Sequence, residues 1–382
     1  MYKIFLVGGS IRDKFITLKV NEKDWVILNS NYKTISNLGF KLVGKDFPVF
    51  LHPITKEEYA LARKERKIKL GYNGFKCYFF SSIKLKDDLF RRDITINSII
   101  LNKNGKIIDF FYGINDIKNK KIRHISNAFS EDPLRIFRLA RIILKYYKNG
   151  FTLATKTYKL IKKIDKKEID KLSTERITKE IFTSIKFNNS YIFFNIIKIC
   201  NKLRILHHNL NFLIKLSHKF KFNKNLDYWS NTIKTQKRLN KYTNNKLIKM
   251  SIIITEIEKY KHIEKCNIFN ISKKYTKFIL YLLEIKKKYD RTSYKNFLKT
   301  KILLEEILIN KNKIHALNIL LLCEKFSETQ SYTHNFYIRY IILNTLDNIN
   351  KKLKTQTSYK IKEKIIIIDN IKKIYTKLYF IK

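Results

Sequence analysis

The 382-residue chain has only nine glycines and three prolines, and all of them lie within its first 150 residues. Glycine supplies positive φ for tight turns and proline punctuates strands and loops, so a long stretch without either is most easily built as helices joined by Asn, Ser and Thr turns. Residues 151–382 are accordingly expected to be all-helical. Cysteine is scarce too. Cys77, Cys200, Cys266 and Cys323 lie far apart with no CxxC pair, which argues against a zinc knuckle and a disulfide framework and fits a reducing cytoplasm. Long apolar runs are missing: no segment reaches the roughly 20 apolar residues of a membrane helix. The N-terminal run Ile4 to Val7 passes at once into Gly8-Gly9 and then Arg12-Asp13, so it reads as neither a signal peptide nor a span. A soluble intracellular protein with no membrane partner is expected, taken as a monomer because nothing in the sequence sets an oligomeric state.

Acidic residues are also few. Thirty-two acids face 80 bases, giving a net charge of +48 that makes nucleic acid the default partner. Of those bases 66 are Lys and only 14 Arg, with Ile, Asn, Tyr and Phe also heavily used, a bias that an AT-rich genome produces by itself. Arginine therefore carries more information than charge. Nine of the 14 fall in the first 141 residues: Arg12, Arg63, Arg66, Arg91, Arg92, Arg123, Arg135, Arg138 and Arg141. The guanidinium fork donates two parallel hydrogen bonds to a phosphate or base edge, which an ammonium cannot reproduce. What is present in quantity is apolar surface: 45% of residues are apolar and 14% aromatic, enough for a sizeable core and two to four domains.

Local patterns in the first 150 residues are mixed. "YKIFLVGG" reads as a strand entering a Gly-Gly turn, "SIRDKFI" as a helix start capped by Ser10, and "KDWVILN" as a second strand. "FKLVGKDFPVFLHP" and "EEYALAR" supply two more, and "INSIILNKNGKIIDFF" a hairpin around Asn104-Gly105. A helix is expected from near Ser130 through "SEDPLRIFRLARIILKYYK". The Lys/Ile/Tyr-rich C-terminal tail reads as an amphipathic helix packed on its neighbours, with a separate interaction tail as the alternative.

Three clusters carry chemistry. In "GGSIRDKFITLKVNEKDW", a strand ending at Gly8-Gly9 brings backbone amides and a helix start to a polyphosphate, and Glu22 and Asp24, alternate residues, can share magnesium ions. The same pattern also fits a surface turn with two solvated acids. "DDLFRRDITIN" offers Arg91, Arg92 and Asp93, as a phosphate-binding pair or as a helix-end ion cluster. In "EDPLRIFRLAR", Asp132 and Arg135 are expected side by side at i and i+3 on a helix. An acceptor and a donor so placed match the Watson–Crick edges of adenine and cytosine and oppose those of guanine and uracil; a local salt bridge is the plainer alternative. Arg138 and Arg141 follow at further i+3 steps and suit phosphate or RNA contact, with a solvated basic face as the plainer alternative.

"LVGGSIRD", "EKDW", "GKDFPVFLHPITKEEYALARKERK", "GYNGF", "DDLFRRDITIN" and "RHISNAFSEDPLRIFRLARI", in this order and spacing, resemble the class II tRNA nucleotidyltransferase (CCA-adding enzyme) and poly(A) polymerase family. The central stretch is most similar to the CCA-adding enzymes of gammaproteobacteria. The likeness is dense over residues 1–150 and thins to matches such as "LSTERITKE" at 172–180. It implies an α+β fold, an N-terminal polymerase-β-like nucleotidyltransferase mixed sheet with helices followed by an all-α RNA-binding region. The implied division is a catalytic head at 1–125, a helical nucleotide-selecting neck at 126–205 and a basic tRNA-binding body at 206–382.

The resemblance further implies that Glu22 and Asp24 are catalytic Mg2+ ligands, that Gly9, Arg12, Arg92, Arg138 and Arg141 bind CTP and ATP, with Gly8 and Asp93 in support, and that Asp132 and Arg135 select the base. The expected activity is addition and repair of the 3′-terminal CCA of tRNA. Glu22 stands where the family usually has Asp, and Glu58 is a further candidate carboxylate. The family's HD phosphohydrolase site is not expected, since none of the eight histidines precedes an Asp and His207-His208 lacks ligand spacing. Residues 151–382 hold 50 bases against 18 acids, which suits a grip on tRNA. Poly(A) polymerase, an A-adding or CC-adding specialist, and a non-catalytic RNA-binding protein are the rival readings.

Overall fold

The computed structural model describes residues 2–200, apart from positions 21, 44–47, 70, 72–73, 81, 166 and 169–170, and scattered positions between 233 and 284. His207-His208, Cys266, Cys323 and the C-terminal tail lie outside the described residues, as does all but that scatter of the helical body expected at 206–382. The chain divides into two compact units, Met1–Ser184 with Ile192–Leu206, and Ile185–Tyr191 with His207–Lys382. Among the described residues no helix is long and apolar enough to cross a membrane.

The head is built on a seven-stranded sheet. In chain order its strands are β1 (Lys3–Val7), β2 (Asp24–Leu28), β3 (Lys41–Val43), β4 (Val49–Leu51), β5 (Glu58–Leu61), β8 (Ile100–Leu101) and β9 (Ile107–Ile108). β6 (Lys64–Lys67) and β7 (Phe75–Tyr78) form a separate hairpin, with the Gly71 and Gly74 segment at its turn. The sheet order is β3-β4-β5-β2-β1-β8-β9; β2 and β5 run parallel while the other neighbours are antiparallel, so the sheet is mixed as expected. β2 explains itself by alternation. Val26 and Leu28 join Val7, Ala62, Leu89 and Ile100 on one face, while Ile27 joins Ile35, Phe50, Tyr59 and Leu61 on the other. Val26 and Ile27 are 0% and 1% exposed, and full burial of each contributes about 1.5–3 kcal/mol. The expected hairpin around Asn104-Gly105 is β8 and β9, with Gly105 at φ 75.

The helices that frame this sheet are α1 (Gly9–Phe15), α2 (Tyr32–Asn37), α3 (Leu85–Phe90) and α4 (Gly113–Lys118), followed by α5 (Leu134–Tyr146), α6 (Thr155–Lys163), α7 (Thr174–Ile185) and α8 (Tyr191–Ile199). Two boundaries differ from expectation. α1 begins at Gly9, with Gly8 as the residue before it, so Ser10 is not the cap but a buried residue inside the helix. α5 begins at Leu134 rather than near Ser130: residues Asn127–Glu131 wind into a 3-10 turn and Asp132 is extended, the conformation a following proline enforces. A third difference is a short strand, β11 (Thr152–Leu153), which pairs in parallel with β10 (Lys121–Ile122) and interrupts the helical run expected from residue 151. α5 buries Ile136, Phe137, Leu139, Ala140 and Ile143, and the Phe137 ring meets Phe193 of α8 with centroids 6.3 Å apart.

Candidate active site

Asp24 opens β2 in register with two neighbours, Val7 at the end of β1 and Glu58 at the start of β5. Because β1 and β2 are antiparallel, the Gly8 turn at the end of β1 falls beside the Asp24 carboxylate. Gly8 has φ +88, and a Cβ there would lie 3.3 Å from Asp24 Oδ2, so both backbone and space call for glycine. Gly9 starts α1, and a Cβ there would meet Arg12 Nη2 at 3.0 Å. Glu22 stands two residues before Asp24, and both are exposed. Among the described residues neither carboxylate accepts a hydrogen bond or enters an ion pair, in contrast to the buried acids around them.

Although Asp24 is open to solvent on one side, the wall behind its carboxylate desolvates it and holds it above the ordinary carboxylate range. Arg92 opposes that shift, Glu22 adds to it, and Arg138 and Arg12 oppose it, so these four residues all lie within electrostatic reach of Asp24. The pair Glu22 and Asp24 with Arg12, Arg92 and Arg138 is thus one constellation drawn from four separate segments. Glu58, exposed beside Asp24, borders it. Among the described residues no three His, Cys, Asp or Glu side chains converge on a common metal position.

Buried carboxylates hold the arginines. Arg12 donates from Nε and Nη2 to Asp13 Oδ1 at 3.1 and 3.0 Å, and its guanidinium lies 4.9 Å from the Tyr146 ring centroid. Lys145 Nζ reaches Asp13 Oδ2 at 2.8 Å and the Tyr146 hydroxyl donates to Oδ1. Burial works against ionisation of Asp13, but Arg12, Lys145 and Tyr146 outweigh it and its carboxyl sits below the usual range. On α3, Asp88 is fully buried and serves both arginines of the pair: Oδ1 receives Arg91 Nη2 at 2.5 Å, and Oδ2 receives Arg92 Nε and Nη2 at 3.3 and 3.1 Å. Sequence reasoning did not single out Asp88, although its i+3 and i+4 spacing to the two arginines is a readable signal. Asp93, also buried, accepts Arg138 Nε at 3.1 Å on Oδ2, while Oδ1 accepts the Ile94 backbone N–H at 2.9 Å.

The remaining expected residues are placed differently. Asp132 is not on a helix with Arg135; it precedes α5 in an extended conformation because Pro133 follows it. Its Oδ1 accepts the Leu134 N–H at 3.1 Å, and Oδ2 pairs with Arg176 Nη2 of α7 at 2.9 Å. Arg135 donates through Nη1 to the Ala128 carbonyl at 2.9 Å, and its backbone N–H bonds the Asp132 carbonyl at 3.0 Å. The two side chains are therefore neighbours held by different partners, not a salt bridge to each other. Arg141 donates through Nε to Glu180 Oε2 at 2.6 Å. Arg176 and Glu180 both lie in the "LSTERITKE" segment.

Comparison with known proteins gives a consistent picture. Residues 4–123 match the family described as Poly A polymerase head domain. The chain is 45% identical over 210 residues to the CCA-adding enzyme of Buchnera aphidicola subsp. Baizongia pistaciae, covering 55% of this chain and 50% of that protein. It is 38% identical over 258 residues to the multifunctional CCA protein of Psychromonas ingrahamii, covering 67% of this chain and 63% of that one. The chain thus spans half to less than two thirds of the length of these relatives. Among solved structures, the Thermotoga maritima CCA-adding enzyme complexed with tRNA shares its fold with a TM-score of 0.59 at 17% identity, covering 98% of this chain and 88% of that one. A CCA-adding enzyme in an apo form gives a TM-score of 0.60 at 18% identity, with coverage of 98% and 88%. Residues 4–123 thus carry the Poly A polymerase head domain, and the chain is similar in sequence to CCA-adding enzymes and shares their fold.

Proposed function

We propose that the chain is a template-independent tRNA nucleotidyltransferase that adds and repairs the 3′-terminal CCA using CTP and ATP. The observation that carries this reading is the pair of unneutralised carboxylates, Glu22 and Asp24, at the mouth of a constellation containing Arg12, Arg92 and Arg138. The relatives' names support the same activity. In each round the tRNA 3′-hydroxyl releases its proton to solvent, its oxygen bonds to the nucleotide α-phosphorus, the bond from that phosphorus to the bridging oxygen breaks, and pyrophosphate leaves.

The donor set fits a divalent cation, with magnesium as the assignment. Both ligands are carboxylates and two is the number a magnesium site takes from protein when substrate phosphates and waters complete it. When bound, such a cation lowers the pKa of the attacking hydroxyl and neutralises the leaving pyrophosphate. The chain's own residues do the rest. Arg12, Arg92 and Arg138 orient the triphosphate, each pre-set by a buried acid, so little reorganisation remains at the moment of reaction. Gly8 and Gly9 keep side chains out of the space beside Asp24 and Arg12. Asp132 and Arg135 present the acceptor and donor that admit cytosine and adenine, the first steadied by Arg176 and the second by the Ala128 carbonyl. Arg141, braced by Glu180, offers the nucleotide a further guanidinium.

The proposed division is a catalytic head at 1–125, a selecting neck at 126–205 and a tRNA-binding body at 206–382, all in the cytoplasm. The test is purified chain with tRNA lacking its CCA and with CTP and ATP, separately and together. Two cytidines followed by one adenosine are expected. Adenosine tracts on an arbitrary RNA would assign a poly(A) polymerase instead, and growth by only C or only A would assign a CC-adding or A-adding specialist.

A further inference from the structure

Lys23 and Trp25 alternate along the chain with Glu22 and Asp24, and one acid, Glu57, holds them both. Trp25 Nε1 donates to Glu57 Oε2 at 2.8 Å, and Lys23 Nζ lies 3.3 Å from Oε1. The parallel register of β2 and β5 separates this contact from the carboxylate pair. Asp24 stands beside Glu58 on one face of the sheet; Trp25 stands beside Tyr59 on the other, their rings stacked with centroids 5.6 Å apart and planes 10° apart. We propose that Glu57 is a positioning residue for the cation site, which fixes the end of β2 through the Trp25 indole and keeps the Lys23 ammonium away from Glu22 and Asp24. This rests on the functional reading above, which gives those two carboxylates to magnesium.

Each of the two contacts has its own consequence. β2 begins at Asp24, so Glu22 and Lys23 come before its first ladder partner and depend on side-chain anchors for their direction. Trp25 is the nearest anchor: its ring is stacked on Tyr59 and its N–H is bonded to Glu57, which fixes the residue next to Asp24 in two directions. Lys23 carries a compact charge on a flexible four-carbon stem between two acids in sequence. Released from Glu57, that ammonium can turn to either neighbour and compete with a divalent cation for its carboxylate. The side chains of Lys23 and Glu57 are 50% and 25% exposed, so their ion pair adds little stability, and its value lies in where it keeps the ammonium. A carboxylate suits both partners, with one oxygen for the indole and the other for the ammonium; an amide would keep the first and lose the charge that holds the second. Glu57 is itself anchored: its N–H donates to Thr55 Oγ1 at 3.4 Å and its carbonyl accepts the His52 N–H at 3.0 Å, while His52 Nδ1 accepts the Ile54 and Thr55 N–H groups at 3.2 and 3.1 Å.

The experiment titrates Mn2+, standing in for magnesium, into the full chain and reads free Mn2+ by electron paramagnetic resonance. The proteins are wild type, Glu57→Gln, Glu57→Ala, Lys23→Met and the double variant Glu57→Gln with Lys23→Met, and half-saturating magnesium for CTP incorporation is measured beside the binding series. Glu57→Gln keeps the indole acceptor and frees the ammonium, so Mn2+ affinity is expected to weaken about threefold. Glu57→Ala loses both contacts and is expected to weaken it about tenfold. Lys23→Met should bind at least as tightly as wild type, and adding Glu57→Gln to it should change nothing further, because the charge that Glu57 restrains is gone. Half-saturating magnesium should rise by the same factors, with the KM for CTP at saturating magnesium unchanged. Glu57→Gln, near the native shape, decides the matter if Glu57→Ala does not fold. Unchanged Mn2+ affinity in the Glu57 variants overturns the proposal, as does an equal effect of Glu57→Gln with and without Lys23, since general loosening of the strand would not depend on the lysine. A wild-type chain that takes up no Mn2+ overturns the cation site and this proposal together. One that binds Mn2+ but does not extend tRNA overturns the functional reading, while the affinity series still decides the role of Glu57.

Discussion

Arg92 is held through Nε and Nη2 by one oxygen of Asp88, at 3.3 and 3.1 Å, while the other oxygen of the same buried carboxylate takes Arg91 and the Arg63 backbone N–H. One acid thus fixes an arginine of the proposed nucleotide constellation and ties α3 to the segment between β5 and β6. Removing it leaves the part-buried Arg92 without its carboxylate and Arg91 with Glu65 as its remaining carboxylate, and strips the Arg63 backbone N–H of its acceptor. Asp88→Ala is expected to cost about 3–5 kcal/mol of stability, read as a fall in the urea midpoint. A variant as stable as wild type would show that the arginines repack at no cost.

Acid should act on the same network. Burial by itself disfavours ionised Asp88 and Asp93, but Arg91 and Arg92 around the first, and Arg138 with Asn97 around the second, outweigh it and hold both carboxyls far below the usual range. Their folded pKa values lie beneath the unfolded value of about 3.9, so their stabilisation is complete above roughly pH 5 and is withdrawn as pH falls through 4 and lower. The urea midpoint should therefore drop between pH 5 and pH 3, and drop less steeply in Asp93→Asn. Equal slopes in the two proteins would remove Asp93 from this account.

Much of this arrangement was legible in the sequence and some was not. The strand, Gly-Gly turn and second strand that carries Asp24 follow from alternation and glycine placement, as does the β8–β9 hairpin from Asn104-Gly105, whereas Glu22, expected on the same strand, lies before its first residue. α5 was readable from its apolar spacing, but its start was not, because the stretch before Pro133 offers acids and a serine that suit a helix N-terminus while the proline forces Asp132 to stay extended. The parallel pairing that sets Glu58 beside Asp24 is a long-range contact with no local signature. Asp88 was hidden by looking like an ordinary acid in the first turn of a helix. Asn97 closes the "DDLFRRDITIN" segment, but its bond with Arg12 is a long-range contact with no local signature.

Base choice can be separated from RNA binding. Arg135 is fixed by the Ala128 carbonyl through Nη1, and Asp132 by Arg176, so each is presented singly. Arg135→Ala should relax selection of A and C toward G and U when the four nucleotides compete for incorporation. Its affinity for tRNA should change far less. An unaltered nucleotide preference would take Arg135 out of the selecting pair.

The most direct measurement of the central claim sets wild type beside Asp24→Ala, following stepwise extension of a tRNA that lacks its CCA end in the presence of CTP, ATP and magnesium. Wild type is expected to add C, C and A in that order and stop, and the variant to lose incorporation by about 10³-fold or more while still binding tRNA. Extension by Asp24→Ala at the wild-type rate, or no extension by wild type, would contradict the account.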